Sequence, residues 1–75
     1  MAAASPSKLR RIFASQVRAR RKELGISQEE LADRAEVHRT WVSQLERGVS
    51  NVSIDNIGRI SDALGVPAFE LLRPN

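Results

Sequence analysis

The 75-residue chain is predicted to be all-α, a compact domain of five helices built around a central helix-turn-helix. Three observations predict this. Apolar residues recur with a period of about 3.6, the spacing of one face of a helix. No run of β-branched residues alternates with period two, and neither Asn-Gly nor Asp-Gly occurs to turn a hairpin. The breaks between periodic segments are short and carry helix caps and stops.

The first helix is predicted from about Lys8 to Leu24. Leu9, Ile12, Phe13, Val17 and Leu24 fall on one stripe, with Arg and Lys on the other side. Gly25 follows as the residue able to adopt the left-handed stop. Ser27-Gln28-Glu29-Glu30 is a capping box that opens the second helix. Glu29 and Glu30 also suit the positive end of the helix dipole. Leu31, Ala32 and Ala35 face inward, and small Ala32 lets a neighbouring helix approach closely. Glu36-Val37-His38 is a very short connection. Two helices joined so tightly must cross at roughly 90–120°.

The third helix covers about Arg39 to Arg47, with Val42 and Leu45 inward and Gly48 as its stop. The fourth begins after Ser53, a good N-cap with Asp55 in the first turn. Ile54, Ile57, Ile60 and Leu64 form its apolar side, and Gly65 ends it. Pro67 suits the first position of a last short helix, which carries Ala68, Phe69, Leu71 and Leu72 and stops at Pro74. Residues 1–7 read as a flexible N-terminal tail, and residues 8–73 as one domain.

Size and composition narrow the function. A domain this small buries only roughly 60% of its unfolded surface. The chain has no cysteine, so disulfides and thiolate zinc sites are excluded, and His38 alone cannot cage a metal. Tight helix packing or a partner subunit must then supply stability. No apolar stretch approaches the roughly 20 residues that span a bilayer, and Met1 to Ser7 lack the apolar run of a signal peptide. A cytoplasmic protein is expected. No serine has a base partner evident in sequence, and the four glycines are scattered rather than gathered into a phosphate loop. Glu29 and Glu30 are explained by helix-start electrostatics. An enzyme, a cofactor and a small-molecule ligand are therefore not expected.

Charge is unevenly distributed. Residues 1–22 hold seven basic side chains (Lys8, Arg10, Arg11, Arg18, Arg20, Arg21 and Lys22) and no acid. The remainder holds five basic against nine acidic residues, a net of −4. A basic segment fits either a polyanion nearby or a solvated helix face. A membrane surface fits less well, because the stripe lacks the bulky aromatics of interfacial helices.

Residues 27–48 form the unit that carries function. A capped helix, a three-residue turn and a second helix make a helix-turn-helix whose second helix fits the major groove. With Val42 and Leu45 inward, Arg39, Thr40, Ser43, Gln44 and Arg47 point outward or flank the face. Arg matches guanine, Gln matches adenine, Ser matches several base edges, and the Thr methyl can touch thymine. An ordinary polar helix face is the alternative.

The runs Gly25-Ile26-Ser27-Gln28-Glu29-Glu30-Leu31-Ala32 and Trp41-Val42-Ser43-Gln44-Leu45-Glu46-Arg47-Gly48 resemble the Cro/repressor-type (Xre-like) helix-turn-helix family. Ile57-Gly58-Arg59-Ile60-Ser61-Asp62-Ala63-Leu64-Gly65-Val66 resembles that family's fourth helix. The likeness covers residues 9–72. Within the family, His38-Arg39-Thr40-Trp41-Val42-Ser43 with Glu46-Arg47-Gly48 and Ser50-Asn51 is similar to the controller proteins of restriction–modification systems, which usually have Tyr at the place of Trp41. This resemblance implies a repressor-like fold and a sequence-specific regulator that activates or represses transcription. It would bind a near-palindromic operator in double-stranded DNA as a homodimer. Base reading falls to Arg39, Thr40, Ser43 and Gln44. Phosphate contact falls to Gln28, which in the family also braces the recognition helix, and to Arg47, Asn51 and Arg18, with Trp41 either at a sugar edge or packed beneath the helix. Val49 and Val52 make the following loop less polar than phosphate contact would favour. The family pattern also pairs Arg21 with Glu46 as a structural salt bridge. Ile60, Val66, Phe69 and Leu72 are the expected dimer residues, although Phe69 and Leu72 could instead close their own core. A general phage-type repressor and an antitoxin-like protein-interaction module are the alternatives; the latter would be expected to carry an extra partner-binding segment.

Overall fold

The computed structural model describes residues 7–74. Four α-helices run in the order α1 (Lys8–Leu24), α2 (Gln28–Ala35), α3 (Arg39–Glu46) and α4 (Ile54–Leu64), followed by a 3-10 helix (Ala68–Leu72). No strand occurs among the described residues.

Local chemistry sets most boundaries. The Ser7 hydroxyl accepts from the Arg10 amide at 3.0 Å and caps α1. Ser7 therefore belongs to the folded domain and not to the predicted tail, whose residues 1–6 lie outside the described ones. Gly25, at φ 70°, ends α1. The capping box of α2 is complete: Ser27 Oγ accepts from Glu30 N, and Glu30 Oε1 accepts from Ser27 N, both at 3.0 Å. Ser53 caps α4 by accepting from Asn56 N at 3.1 Å.

The core gathers one stripe from each element: Phe13 and Val17 of α1, Leu31, Ala32 and Ala35 of α2, Val42 and Leu45 of α3, Ile60 and Leu64 of α4, with Ile26 and Leu71. Within the tight pair, α2 packs against α4 and α3 against α1, which fixes how α3 is presented.

Several expectations need correction. The fifth helix is a 3-10 helix, not an α-helix. Only five residues separate Pro67 from Arg73, and the Glu70 amide bonds the Pro67 carbonyl three residues back at 3.0 Å. Pro67 is its N-cap, at ψ 145°, rather than its first helical residue. Leu9, Leu24 and Ile54 were expected on buried stripes and are exposed. Leu9 and Leu24 sit near the two ends of the 17-residue α1, whose packing partners are α3, α4 and the 3-10 helix. Ile54 is the first residue of α4, where a side chain leans back past the helix start.

Ile60 has no exposed surface. It sits at the centre of the inner side of α4, packed in its own subunit's core, and is not available to a dimer face. Val66 and Leu72 also pack against this core while half-buried. Of the four expected dimer residues only Phe69 is largely exposed, at 63%.

Candidate nucleic-acid interface

The turn between α2 and α3 takes its shape from one residue. Glu36 adopts the left-handed conformation (φ 58°, ψ 46°), and its amide reaches the Ala32 and Asp33 carbonyls. The Val37 amide also bonds the Ala32 carbonyl, at 2.9 Å, and Val37 packs on the core. An arginine of α4, Arg59, donates to the Glu36 carbonyl at 3.4 Å. Non-glycine residues in this region are uncommon, so the sequence places the turn at Glu36-Val37-His38 without showing how Glu36 makes it.

Beyond the turn, α3 starts without a side-chain cap: His38 makes no capping hydrogen bond, and the first turn has no acid. Arg39, Thr40 and Gln44 are exposed and Ser43 is half-buried. None of the four makes a side-chain hydrogen bond among the described residues. Trp41 is half-buried and packs against the core cluster. Arg47, Asn51 and Arg18 are exposed.

The other end of α3 is fastened. Arg21 Nε donates to Glu46 Oε2 at 2.6 Å and Arg21 Nη2 to Glu46 Oε1 at 2.9 Å, a two-pronged pair. The third arm, Nη1, donates to the Ile26 carbonyl at 3.0 Å. The two side chains are 12% and 3% exposed. The hydrogen bond it donates to Glu46 holds the Arg21 guanidinium above its ordinary pKa, against the opposing pull of burial. Arg21 is therefore spent inside the fold.

Gln28 joins this brace, its Nε2 donating to Glu46 Oε1 at 3.1 Å. A primary amide has two N–H donors, so one donor and the amide oxygen remain for an outside partner. Nothing in the spacing of Gln28 and Glu46, 18 residues apart, could have announced this bond. A second missed pairing lies on the far side of α1, where Glu70 accepts from Arg20 at 3.2 Å and from Arg73 at 3.3 Å. Gln16 donates to the Arg73 carbonyl at 2.7 Å. Together these tie the 3-10 helix to α1.

Among the described residues no group of three or more His, Asp or Glu could hold a metal, and no helix is long and apolar enough to cross a membrane. An apolar recess of about 150 Å³ lies between Leu9, Phe13, Val52, Ile57 and Leu72.

Fold and surface together are those of a groove-docking helix-turn-helix, with one helix anchored and its neighbour offered outward. The helix-turn-helix family model matches residues 17–71. The chain belongs to this family of transcriptional regulators and is homologous to restriction–modification controller proteins. It is 48% identical over 65 residues to the control protein C.BamHI of Bacillus amyloliquefaciens, covering 85% of this chain and 80% of the relative. The crystal structure of the hypothetical transcription factor NHTF from Neisseria superposes with a TM-score of 0.87 at 39% identity, covering 99% of this chain and 85% of that one. The controller protein C.Esp1396I, solved as a tetramer on its natural 35-base-pair operator, superposes at 0.82 with 32% identity, covering 88% of this chain and 91% of that one.

Proposed function

We propose that this chain is the controller protein of a restriction–modification system, binding a near-palindromic double-stranded DNA operator as a homodimer. The outer surface of α3 carries the reading. Arg39, Thr40 and Gln44 are exposed, carry no acidic neighbour in the first turn, and make no side-chain hydrogen bond among the described residues. Arg39, Thr40, Ser43 and Gln44 contact base edges. Gln28, Arg47, Asn51 and Arg18 contact phosphates, which set position without specifying sequence. Trp41 supports α3 from below and reaches a sugar with its exposed edge. The protein acts in the cytoplasm by occupying DNA, with no catalytic step.

The dimer forms through the exposed Phe69 with the half-buried Val66 and Leu72 beside it. Pairing sets the two α3 helices roughly 34–36 Å apart, one turn of the duplex. Phe69→Asp should then sediment as a folded monomer; a folded dimer would refute this face. For the function itself, bound sites should be selected from random DNA and stoichiometry measured on the winner. Enrichment of a two-fold symmetric sequence taken up by two chains supports the reading, and recovery of no preferred sequence overturns it.

A further inference from the structure

Lys8, Arg11, Ser15, Arg18 and Lys22 follow one another in α1 at spacings of three and four. Residues so spaced lie one above the next on a single helix face. All five are exposed. The stripe is about 21 Å long at 1.5 Å per residue, and no acid lies on it. The only acid of α1, Glu23, turns toward Arg20 at 3.8 Å. Lys8, Arg18 and Lys22 have no ion-pair partner among the described residues.

The middle of this stripe touches the end of α3. Gly48, at φ 75°, lies beside α1, where a Cβ would stand in ordinary contact, 3.9 Å from both Ala14 Cβ and Arg11 Cγ. An open cleft of about 230 Å³ results, lined by Arg11, Ser15, Arg18, Glu46, Arg47 and Gly48. Its single acid, Glu46, is already held by Arg21 and Gln28. Three arginines therefore face one cleft whose negative charge is internally neutralised.

We infer that the basic stripe of α1 is a second track for the DNA backbone, continuous through this cleft with the edge of the α3 surface. Its ligand is a run of phosphodiesters. Along one strand phosphates recur about every 3.4 Å of axis, so a 21 Å stripe spans several of them. Lys8, Arg11 and Lys22 thereby join Arg18 and Arg47 as backbone contacts, adding affinity without adding sequence preference. This inference rests on the regulator reading above.

The test is the full chain carrying Lys8→Gln, Arg11→Gln and Lys22→Gln together, with Arg18 and Arg47 unchanged. Affinity is measured across a salt series on the selected operator and on random duplex. Arg73→Gln, on the opposite side of α1, controls for lost charge, and a thermal melt confirms folding. Each lost phosphate contact should flatten the slope of log affinity against log salt by about 0.9. Binding to operator and random DNA should weaken by the same factor, leaving their ratio intact. An unchanged slope makes the stripe a solvated face and overturns the inference, as does a loss confined to the operator or one matched by Arg73→Gln. If the unaltered chain shows no salt-sensitive DNA binding, the regulator reading itself falls and takes the stripe with it.

Discussion

Helices α2 and α3 are equal in length and neighbours in space, yet they are stabilised in opposite ways. In α2 the start is closed locally by a complete capping box and two acids in the first turn. The start of α3 has neither a side-chain cap nor an acid. It is held from its far end, by the Arg21–Glu46–Gln28 brace, and from below by Val42 and Leu45. The difference separates two jobs. A helix satisfied by its own residues serves as a scaffold. A helix gripped at one end leaves the donors at its other end for a partner, and a helix N-terminus attracts anions.

The largest effect should come from breaking the brace. Glu46→Ala leaves Arg21 partly buried without its partner and should destabilise the chain by about 3–5 kcal/mol, read as a shift of the denaturation midpoint. The double replacement Arg21→Met with Glu46→Leu should regain most of that, because apolar side chains of similar volume often substitute well for such a pair. A loss below about 1 kcal/mol for Glu46→Ala would mean that apolar packing alone fixes α3. At the outward surface the expected effect moves from folding to binding. Arg39→Ala should weaken operator affinity by about 1–3 kcal/mol and relax preference at one base position, while the melting curve stays put. Equal weakening on random duplex would count against base reading. The smallest effects contrast the two helix starts. Ser27→Ala should destabilise by about 1 kcal/mol, whereas His38→Ala should leave stability unchanged because His38 makes no capping bond. Similar losses from both would erase the distinction.

What sequence reveals here follows from how local each interaction is. Caps and glycine stops lie within a few residues of what they terminate, so the bounds of α1, α2 and α4 could be read directly. The Arg21–Glu46 pair spans 25 residues and is accessible only through the family pattern; the same pattern gives Gln28 a bracing role beside its phosphate contact, and the bond from Gln28 to the Glu46 carboxylate supplies that brace. The end of α2 at Ala35 is also where the short Glu36-Val37-His38 connection puts it; what the sequence does not show is that Glu36 turns the chain in a left-handed conformation without being glycine. The apolar period locates the inner side of α4 but does not say whose core it enters; Ile60, expected between subunits, is buried within one. Periodicity also overstated burial at Leu9, Leu24 and Ile54, since a stripe keeps its spacing past the point where neighbours stop covering it. The short last element has too few residues for its hydrogen-bond pattern to be inferred, and it closes as a 3-10 helix.

Among the described residues the outward side chains of α3 form no hydrogen bond or ion pair with the rest of the fold, and this has an evolutionary consequence. Replacing Arg39, Thr40 or Gln44 removes nothing that the fold depends on. Target preference can therefore drift, or be redesigned residue by residue, on an unchanged scaffold. Related chains could share the capped α2 and the buried brace while answering to different operators, and a library confined to these positions should return folded proteins almost throughout.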